Sequence, residues 1–177
     1  GRPGDTDGPG GVGMDTMTFT EFSMLSGLVP LVGITSGRCF AGNTALLACC
    51  DVIIATANST IAMGGPAMIE GGGLGVYTPE EVGPLSFQVP NGVVDILVKD
   101  EAAGTVIAKK YLSYFQGPVH HWEVPDQRKL RHIVPESRTK MYDMRELITT
   151  LCDVDSVLEL RPEFGVGIIT CLVRIEG

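Results

Sequence analysis

A glycine-containing turn at residues 33–43 most constrains how this chain folds. It reads Gly-Ile-Thr-Ser-Gly-Arg-Cys-Phe-Ala-Gly-Asn, follows the apolar run 29–34 and precedes the Ala- and Leu-rich segment 44–50. This pattern predicts a strand, a tight turn and the start of a helix. Backbone N–H groups in the first turn of a helix have no intrahelical partners. Where small residues admit a substrate oxygen, those donors stabilise negative charge, so the turn predicts chemistry on a carbonyl.

Composition and charge exclude several classes of protein. The 177 residues carry a formal net charge of −8, which argues against general nucleic-acid binding because phosphate contacts need surplus Lys and Arg. No apolar run reaches the roughly 20 residues of a membrane span, and residues 1–7 have no apolar signal-peptide core, so we expect no membrane. The five cysteines lack metal-ligand spacing, which favours free thiols, no metal and a reducing compartment, the cytoplasm.

Hydrophobic periodicity along the chain indicates an α/β fold. Residues 1–13 are predicted to be a loop or the remnant of an earlier element, and the composition becomes more polar after Gly117, which divides the chain into a core (1–117) and a connector (118–177). Helices are predicted at 14–27, at 43–50, from Thr78 with a capping box to Glu81, at 100–115 and at 144–152. The helix at 100–115 is predicted to be capped by Asp100, with Val106, Ile107, Tyr111 and Leu112 as its apolar stripe. Strands are predicted at 31–35, 51–57, 59–63, 93–98, 156–160 and 167–174. The order predicts stacked units in which helices cover sheets.

Several segments, in order along nearly the whole chain, resemble one family. They are 29–42, Asp51-Val-Ile-Ile, Met63-Gly64-Gly65-Pro66, Thr78-Pro79-Glu80-Glu81-Val82-Gly83, Asn91-Gly92-Val93-Val94-Asp95, 130–135, 142–145, 156–160 and Phe164-Gly165. Together they are similar to the carboxyltransferase component of biotin-dependent acyl-CoA carboxylases. The resemblance implies a crotonase-like (ClpP/crotonase) fold of ββα superhelical turns, roughly one half of a duplicated pair, with the N-terminal half-domain core at 1–117 and the connector and start of the second half at 118–177. We also expect the chain to be cut at both ends.

The resemblance also implies an activity and its partners. Such enzymes move a carboxyl group from carboxybiotin, carried on a partner carrier domain, to the α-carbon of an acyl-CoA. Backbone amides stabilise the resulting enolate, and each half of the fold provides one pair. The second pair belongs to another half or subunit, so we expect a homo-oligomer and an isolated chain that is inactive.

Carried over residue by residue, the first pair falls on Ala41 and Gly42. The family more often has two glycines there, and Phe40 and Asn43 replace smaller residues, which leaves the acyl chain undefined. The residues expected to border the substrate are Gly37, Arg38, Phe40, Asn43, Gly64, Gly65 and Pro66. Arg38 is a candidate partner for a CoA phosphate, with a surface ion pair as its alternative.

Three other interpretations remain open. The turn glycines alone are also typical of a plain strand–helix connection. A crotonase-like esterase or thioester hydrolase would use the same amides with water, or Ser36 with His120 or His121, although the Gly-x-Ser-x-Gly elbow is absent. A non-catalytic assembly module would instead use its exposed half-interface to recruit a partner.

Overall fold

The computed structural model describes residues 17–177, so the predictions for residues 1–13 and for Met14 lie outside the described residues. In chain order the elements are α1 Thr18–Ser23, β1 Val32–Thr35, β2 Arg38–Phe40, α2 Gly42–Ala48, β3 Val52–Thr56, β4 Thr60–Ala62, α3 Pro66–Gly71, α4 Leu85–Gln88, β5 Ile96–Val98, α5 Glu101–Ser113, α6 Leu130–Ile133, α7 Met144–Leu151, β6 Leu158–Leu160 and β7 Thr170–Leu172. Single 3-10 turns lie at Pro79–Glu81 and Gln127–Lys129.

Parallel pairing of the strands confirms the α/β class. Strands β1, β3 and β5 form a three-stranded parallel sheet in which β3 is central, with Val32 opposite Val52 and Ile54 opposite Ile96. Strands β2 and β4 form a separate parallel pair, and β6 pairs with β7 in antiparallel fashion. Parallel neighbours need crossover connections, which helices supply here.

Strand β3 lies at the centre of two apolar clusters. Val52 and Ile54 have no exposed surface and pack on one side with Ala108, Tyr111 and Leu158. Ala55, on the opposite face, packs with Cys39, Leu47, Ile61, Val89 and Val94. A strand covered on both faces carries a continuous apolar run, which is why residues 52–55 were recognisable as a buried strand.

Helix α5 covers the three-stranded sheet through its small residues. Asp100 caps it by accepting a hydrogen bond from the Ala103 N–H at 2.8 Å, as predicted. A Cβ added at Gly104 would lie 3.4 Å from the Ile34 Cγ2, an ordinary contact distance, so the helix packs directly against the sheet at this residue. The predicted apolar stripe was partly wrong: Tyr111 is buried, whereas Val106 is 66% exposed because Gly104 and Ala108 occupy the packed face.

Several predicted elements differ from the structure. The turn at residues 36–42 contains β2, because Arg38–Phe40 pairs with Thr60–Ala62. The helix predicted from Thr78 is one 3-10 turn, with the capping box formed by Thr78 and Glu81, because Gly83 at φ 64° and Pro84 end it. Strand β5 begins at Ile96, later than predicted, because the Val93 and Val94 amides donate to the Gln88 carbonyl oxygen.

A buried carboxylate adds polar contacts between the C-terminal hairpin and the core. Asp95 accepts hydrogen bonds from the Ile53 N–H and from Arg161 Nε, each at 2.7 Å. The Arg161 N–H donates in turn to the Asp95 carbonyl oxygen at 2.8 Å. Residues of the predicted connector therefore contact the central sheet, while the division at residue 117 stays a prediction.

Candidate functional site

The predicted oxyanion turn lies where β2 and β4 end side by side. Because these strands are parallel, Phe40 lies opposite Ala62, and the chain leaves the two ends towards α2 and α3. The Ala41 N–H donates to the Met63 carbonyl oxygen at 3.0 Å. The Thr44 hydroxyl lies 2.8 Å from the Cys39 carbonyl oxygen and 2.9 Å from that of Ala62. These bonds hold the start of α2 against the end of β4.

Ala41 adopts a backbone conformation that normally belongs to glycine. Its φ is 52° and its ψ is −123°, and it is the N-cap of α2. A Cβ makes this region unfavourable for an L-residue, so the surrounding bonds must maintain it. Backbone strain of this kind concentrates at binding and catalytic sites.

The two predicted N–H donors differ in their hydrogen bonding. The first bond of α2 runs from the Ala45 N–H to the Ala41 carbonyl oxygen at 3.0 Å, so the N–H groups of Gly42 and Asn43 precede the helical ladder. The Ala41 N–H is already bonded to Met63. Of these two N–H groups, that of Gly42 is therefore the one that the Met63 carbonyl oxygen does not occupy.

Aromatic rings contact two glycines of this region. A Cβ added at Gly42 would lie 2.9 Å from Phe19 Cζ, and one added at Gly65 would lie 3.5 Å from the Phe40 ring. Pro66 begins α3 directly after Gly65. The structure thus brings Phe40 and the Gly64-Gly65-Pro66 segment to the same turn as Ala41 and Gly42.

Gly37 and Arg38 are placed at the other end of β2. Gly37 turns the chain between β1 and β2 at φ 75°. Arg38 Nε and Nη2 donate to Glu80 Oε1 at 3.0 and 2.6 Å, and both side chains are largely exposed. The hydrogen bond from Arg38 lowers the pKa of the Glu80 carboxyl. Arg38 is in the surface ion pair named as its alternative, and its contact with CoA stays a prediction.

Ser36 and the histidines are not joined. The Ser36 hydroxyl donates to Glu101 Oε1 at 2.5 Å, and this bond lowers the pKa of Glu101. His120 and His121 line a cavity of about 550 Å³ with Trp122, Glu123, Val154 and Asp155. Among residues 17–177, Ser36 has no hydrogen bond to a histidine, so the serine version of the hydrolase has no geometric support.

The thiols, the metal-ligating groups and the helices of residues 17–177 bear on the sequence predictions. All five cysteines are free thiols, and burial raises the pKa of Cys50, Cys152 and Cys171. Residues 17–177 contain no group of three or more His, Cys, Asp or Glu side chains placed to hold a metal. Within the same range, every helix is too short or too polar to cross a bilayer.

Sequence reasoning missed three contributors to this region. The Met63 carbonyl and the Thr44 hydroxyl act through backbone contacts that depend on where β4 ends. Phe19 reaches Gly42 from α1, more than twenty residues earlier in the chain. No local motif predicts these contacts, although Met63 lies in the segment Met63-Gly64-Gly65-Pro66. The one available signal was Phe19 itself, an aromatic residue in the amphipathic segment before the turn.

Comparison with known proteins gives a consistent set of similarities. The family model described as "Carboxyl transferase domain" matches residues 9–177. The chain is 29% identical to "Uncharacterized carboxylase YngE" of Bacillus subtilis, over 96% of this chain and 35% of that protein. It is 30% identical to "Methylmalonyl-CoA carboxyltransferase 12S subunit" of Propionibacterium freudenreichii, over 86% of this chain and 31% of that protein. The chain therefore spans about a third of the length of these curated relatives.

Two solved structures share the fold. A single-chain, multi-domain long-chain acyl-CoA carboxylase matches with a TM-score of 0.92 and 58% identity, over all of this chain and 17% of that one. The transcarboxylase 12S hexamer, with hydrolysed methylmalonyl-CoA bound, matches with a TM-score of 0.74 and 28% identity, over 90% of this chain and 33% of that one. The predicted fold, part of a duplicated crotonase-like domain, is confirmed.

Proposed function

Because this chain belongs to the carboxyl transferase domain family, we propose that it forms part of the carboxyltransferase component of a biotin-dependent acyl-CoA carboxylase. The reaction is transfer of a carboxyl group from carboxybiotin to the α-carbon of an acyl-CoA. The observation that carries the proposal is the turn at Ala41 and Gly42, where backbone donors at the start of α2 lie beside the ends of two parallel strands.

The reaction needs a site for developing negative charge. Carboxybiotin, carried on a partner domain, supplies the carboxyl group and takes up a proton on its nitrogen when the N–C bond breaks. The acyl-CoA loses a proton from its α-carbon and gains a C–C bond there. As that proton leaves, negative charge moves onto the thioester oxygen, and preorganised N–H donors lower the barrier by binding it.

Gly42 is the principal donor in this proposal. Its N–H precedes the first hydrogen bond of α2, whereas the Ala41 N–H is bonded to the Met63 carbonyl oxygen. Ala41 joins Gly42 as a donor when a thioester oxygen displaces that carbonyl. Asn43, Phe40 and the Gly64-Gly65-Pro66 segment surround the same turn and border the acyl group, while Gly37 and Arg38 lie at the far end of β2 towards the CoA side.

We propose a long acyl chain as the substrate class. The solved structure with 58% identity is described as a long-chain acyl-CoA carboxylase. The stretch from Met63 to α4, which begins at the residue that accepts from the Ala41 N–H, also exposes large apolar side chains: Met63, Met68, Leu74, Val76, Tyr77 and Phe87. Exposed apolar surface on this stretch favours a long hydrocarbon chain over an acetyl group.

The partners that we propose are the components that such a site requires beyond this chain. A carboxyltransferase site of this family needs a biotin carrier domain and a second half or subunit, and the transcarboxylase 12S relative is described as a hexamer. We propose a homo-oligomer in which a second half completes the site. The free thiols are consistent with a reducing compartment, the cytoplasm.

The test is direct carboxyl transfer. The full-length protein that contains this chain is mixed with carboxylated biotin carrier and either palmitoyl-CoA or acetyl-CoA, and the carboxylated thioester is measured by mass spectrometry. We expect carboxylated product from both thioesters and no product when the carrier is omitted. We also expect a higher kcat/KM for palmitoyl-CoA than for acetyl-CoA. Absence of product with every acyl-CoA, when the carrier serves a control carboxyltransferase, would contradict the proposal.

A further inference from the structure

One aromatic ring, that of Phe19, lies close to Gly42. Gly42 is the first residue of α2, and among residues 17–177 it is not one of the glycines with positive φ. Its backbone conformation therefore suits any L-residue. A Cβ at this position would lie 2.9 Å from Phe19 Cζ and 3.4 Å from Phe19 Cε1. The ring of Phe19, and not the local backbone, would have to shift to admit a side chain here.

Phe19 is not explained as a core residue. Helix α1 has no buried residues, and Phe19 itself is 41% exposed. Met17, Met24, Leu25 and Leu28 on and around this helix are exposed as well. Its ring lies against the first residue of α2 and belongs to neither of the two apolar clusters of the core. Its position beside a proposed oxyanion donor is the property that stands out.

We infer that Phe19 is a positioning residue for the Gly42 amide; this rests on the proposed function. The ring covers one side of the Gly42 backbone and limits how that peptide moves. It also reduces the access of water to the N–H beside it, and an electrostatic contact is stronger where water is excluded. A displacement of about 1 Å at a reacting centre costs up to about 10²-fold in rate. Phe19 therefore acts mainly on kcat and little on KM.

The first test compares Phe19→Ala with Met24→Ala in the full-length protein, using carboxyl transfer to palmitoyl-CoA. Met24 belongs to the same region and is 68% exposed, so it controls for a general effect of truncating an apolar side chain near α1. We expect kcat to fall about 10-fold or more in Phe19→Ala with KM changed less than about 3-fold, and Met24→Ala to behave as wild type. A wild-type kcat in Phe19→Ala would overturn the inference.

A double-mutant cycle tests the contact itself. Gly42→Ala places a methyl group against the ring, so we expect kcat to fall by about 10-fold or more in the wild-type background. In the Phe19→Ala background the methyl group has room, and the same substitution should cost less than about 3-fold. Equal losses in the two backgrounds would show that the ring does not make glycine necessary.

Phe19→Leu separates positioning from simple attachment of α1. Leucine retains apolar bulk on the helix but lacks the ring that reaches Gly42, so we expect a low kcat at an unchanged melting temperature. Full recovery of kcat in Phe19→Leu would assign Phe19 a structural role only and would overturn the inference. If the wild-type protein itself transfers no carboxyl group, the proposed function fails, which is a different result from a wild-type rate in the Phe19 variants.

Discussion

The N–H of Ala41 donates to the carbonyl oxygen of Met63 at 3.0 Å while Ala41 is held at φ 52° and ψ −123°. This hydrogen bond joins the start of α2 to the end of β4, the two places from which the candidate site is built. It also maintains a conformation that costs a non-glycine residue about 1–3 kcal/mol. The turn is therefore a point at which stability and function oppose each other.

Replacing Ala41 by glycine should stabilise the protein. Glycine removes the Cβ strain, and this gain exceeds the roughly 0.4–1 kcal/mol by which glycine's greater unfolded-state entropy opposes it. We expect the free energy of unfolding to rise by about 1 kcal/mol, measured by chemical denaturation. Ala45→Gly in the same helix is the matched control and should lower it by about 0.5–1 kcal/mol. If both substitutions destabilise equally, Ala41 carries no strain.

The Asp95 carboxylate should be important for stability. It is 5% exposed, accepts from the Ile53 N–H and bonds Arg161, so Asp95→Ala leaves a buried N–H without its acceptor. We expect a loss of about 2–3 kcal/mol in the free energy of unfolding. Arg128→Ala, which breaks the exposed Arg128–Asp126 pair, is the control and should lower the free energy of unfolding by less than about 1 kcal/mol. Similar results for the two variants would contradict this assignment.

Stability should also depend on pH through the Arg38–Glu80 pair. The bond from Arg38 holds the pKa of Glu80 below its ordinary value in the folded protein. A lowered folded-state pKa stabilises above the unfolded pKa, and this contribution is lost as pH falls through the folded pKa. We therefore expect Glu80→Gln to be less stable than wild type at pH 7 and equally stable well below pH 4, where the carboxyl is protonated. A pH-independent difference in melting temperature would contradict the mechanism.

Ser36 should be dispensable for the chemistry. Its hydroxyl donates to Glu101, and this bond lowers the pKa of Glu101 rather than activating a nucleophile. Ser36→Ala should retain carboxyl transfer within about 3-fold, and any turnover of nitrophenyl esters should persist as well. A loss of both activities in a folded Ser36→Ala protein would favour the serine hydrolase instead.

The elements that sequence predicted well have strong local signals. Strand β3 was evident from an apolar run that the structure buries on both faces, and α5 from the cap at Asp100. Strand β2 was missed because its three residues have the composition of a turn and pair with β4 some twenty residues later. Helix α1 is only six residues long, shorter than its periodic apolar pattern, and its apolar side chains remain largely exposed.

Only the backbone N–H donors of the candidate site were predictable from the sequence. The small residues before α2 predicted unpaired N–H groups at this turn, since such groups follow from the start of any helix, and the resemblance to the carboxyltransferase family narrowed the predicted donors to Ala41 and Gly42. The residues that contact Ala41 and Gly42 were not predictable from the sequence. The Met63 carbonyl reaches Ala41 only because β4 ends beside β2, and Phe19 reaches Gly42 only because α1 lies against α2.

The most direct measurement removes the Gly42 N–H without adding a side chain. Substituting the α-hydroxy analogue of glycine at position 42 of the full-length protein replaces the amide by an ester. We expect kcat for carboxyl transfer to palmitoyl-CoA to fall about 10²–10³-fold, the usual cost of losing one oxyanion donor, with the melting temperature nearly unchanged. The same exchange at Ala48, within the helical ladder, should lower stability and leave kcat within about 3-fold. A kcat within 3-fold of wild type for the ester at Gly42 would contradict the account.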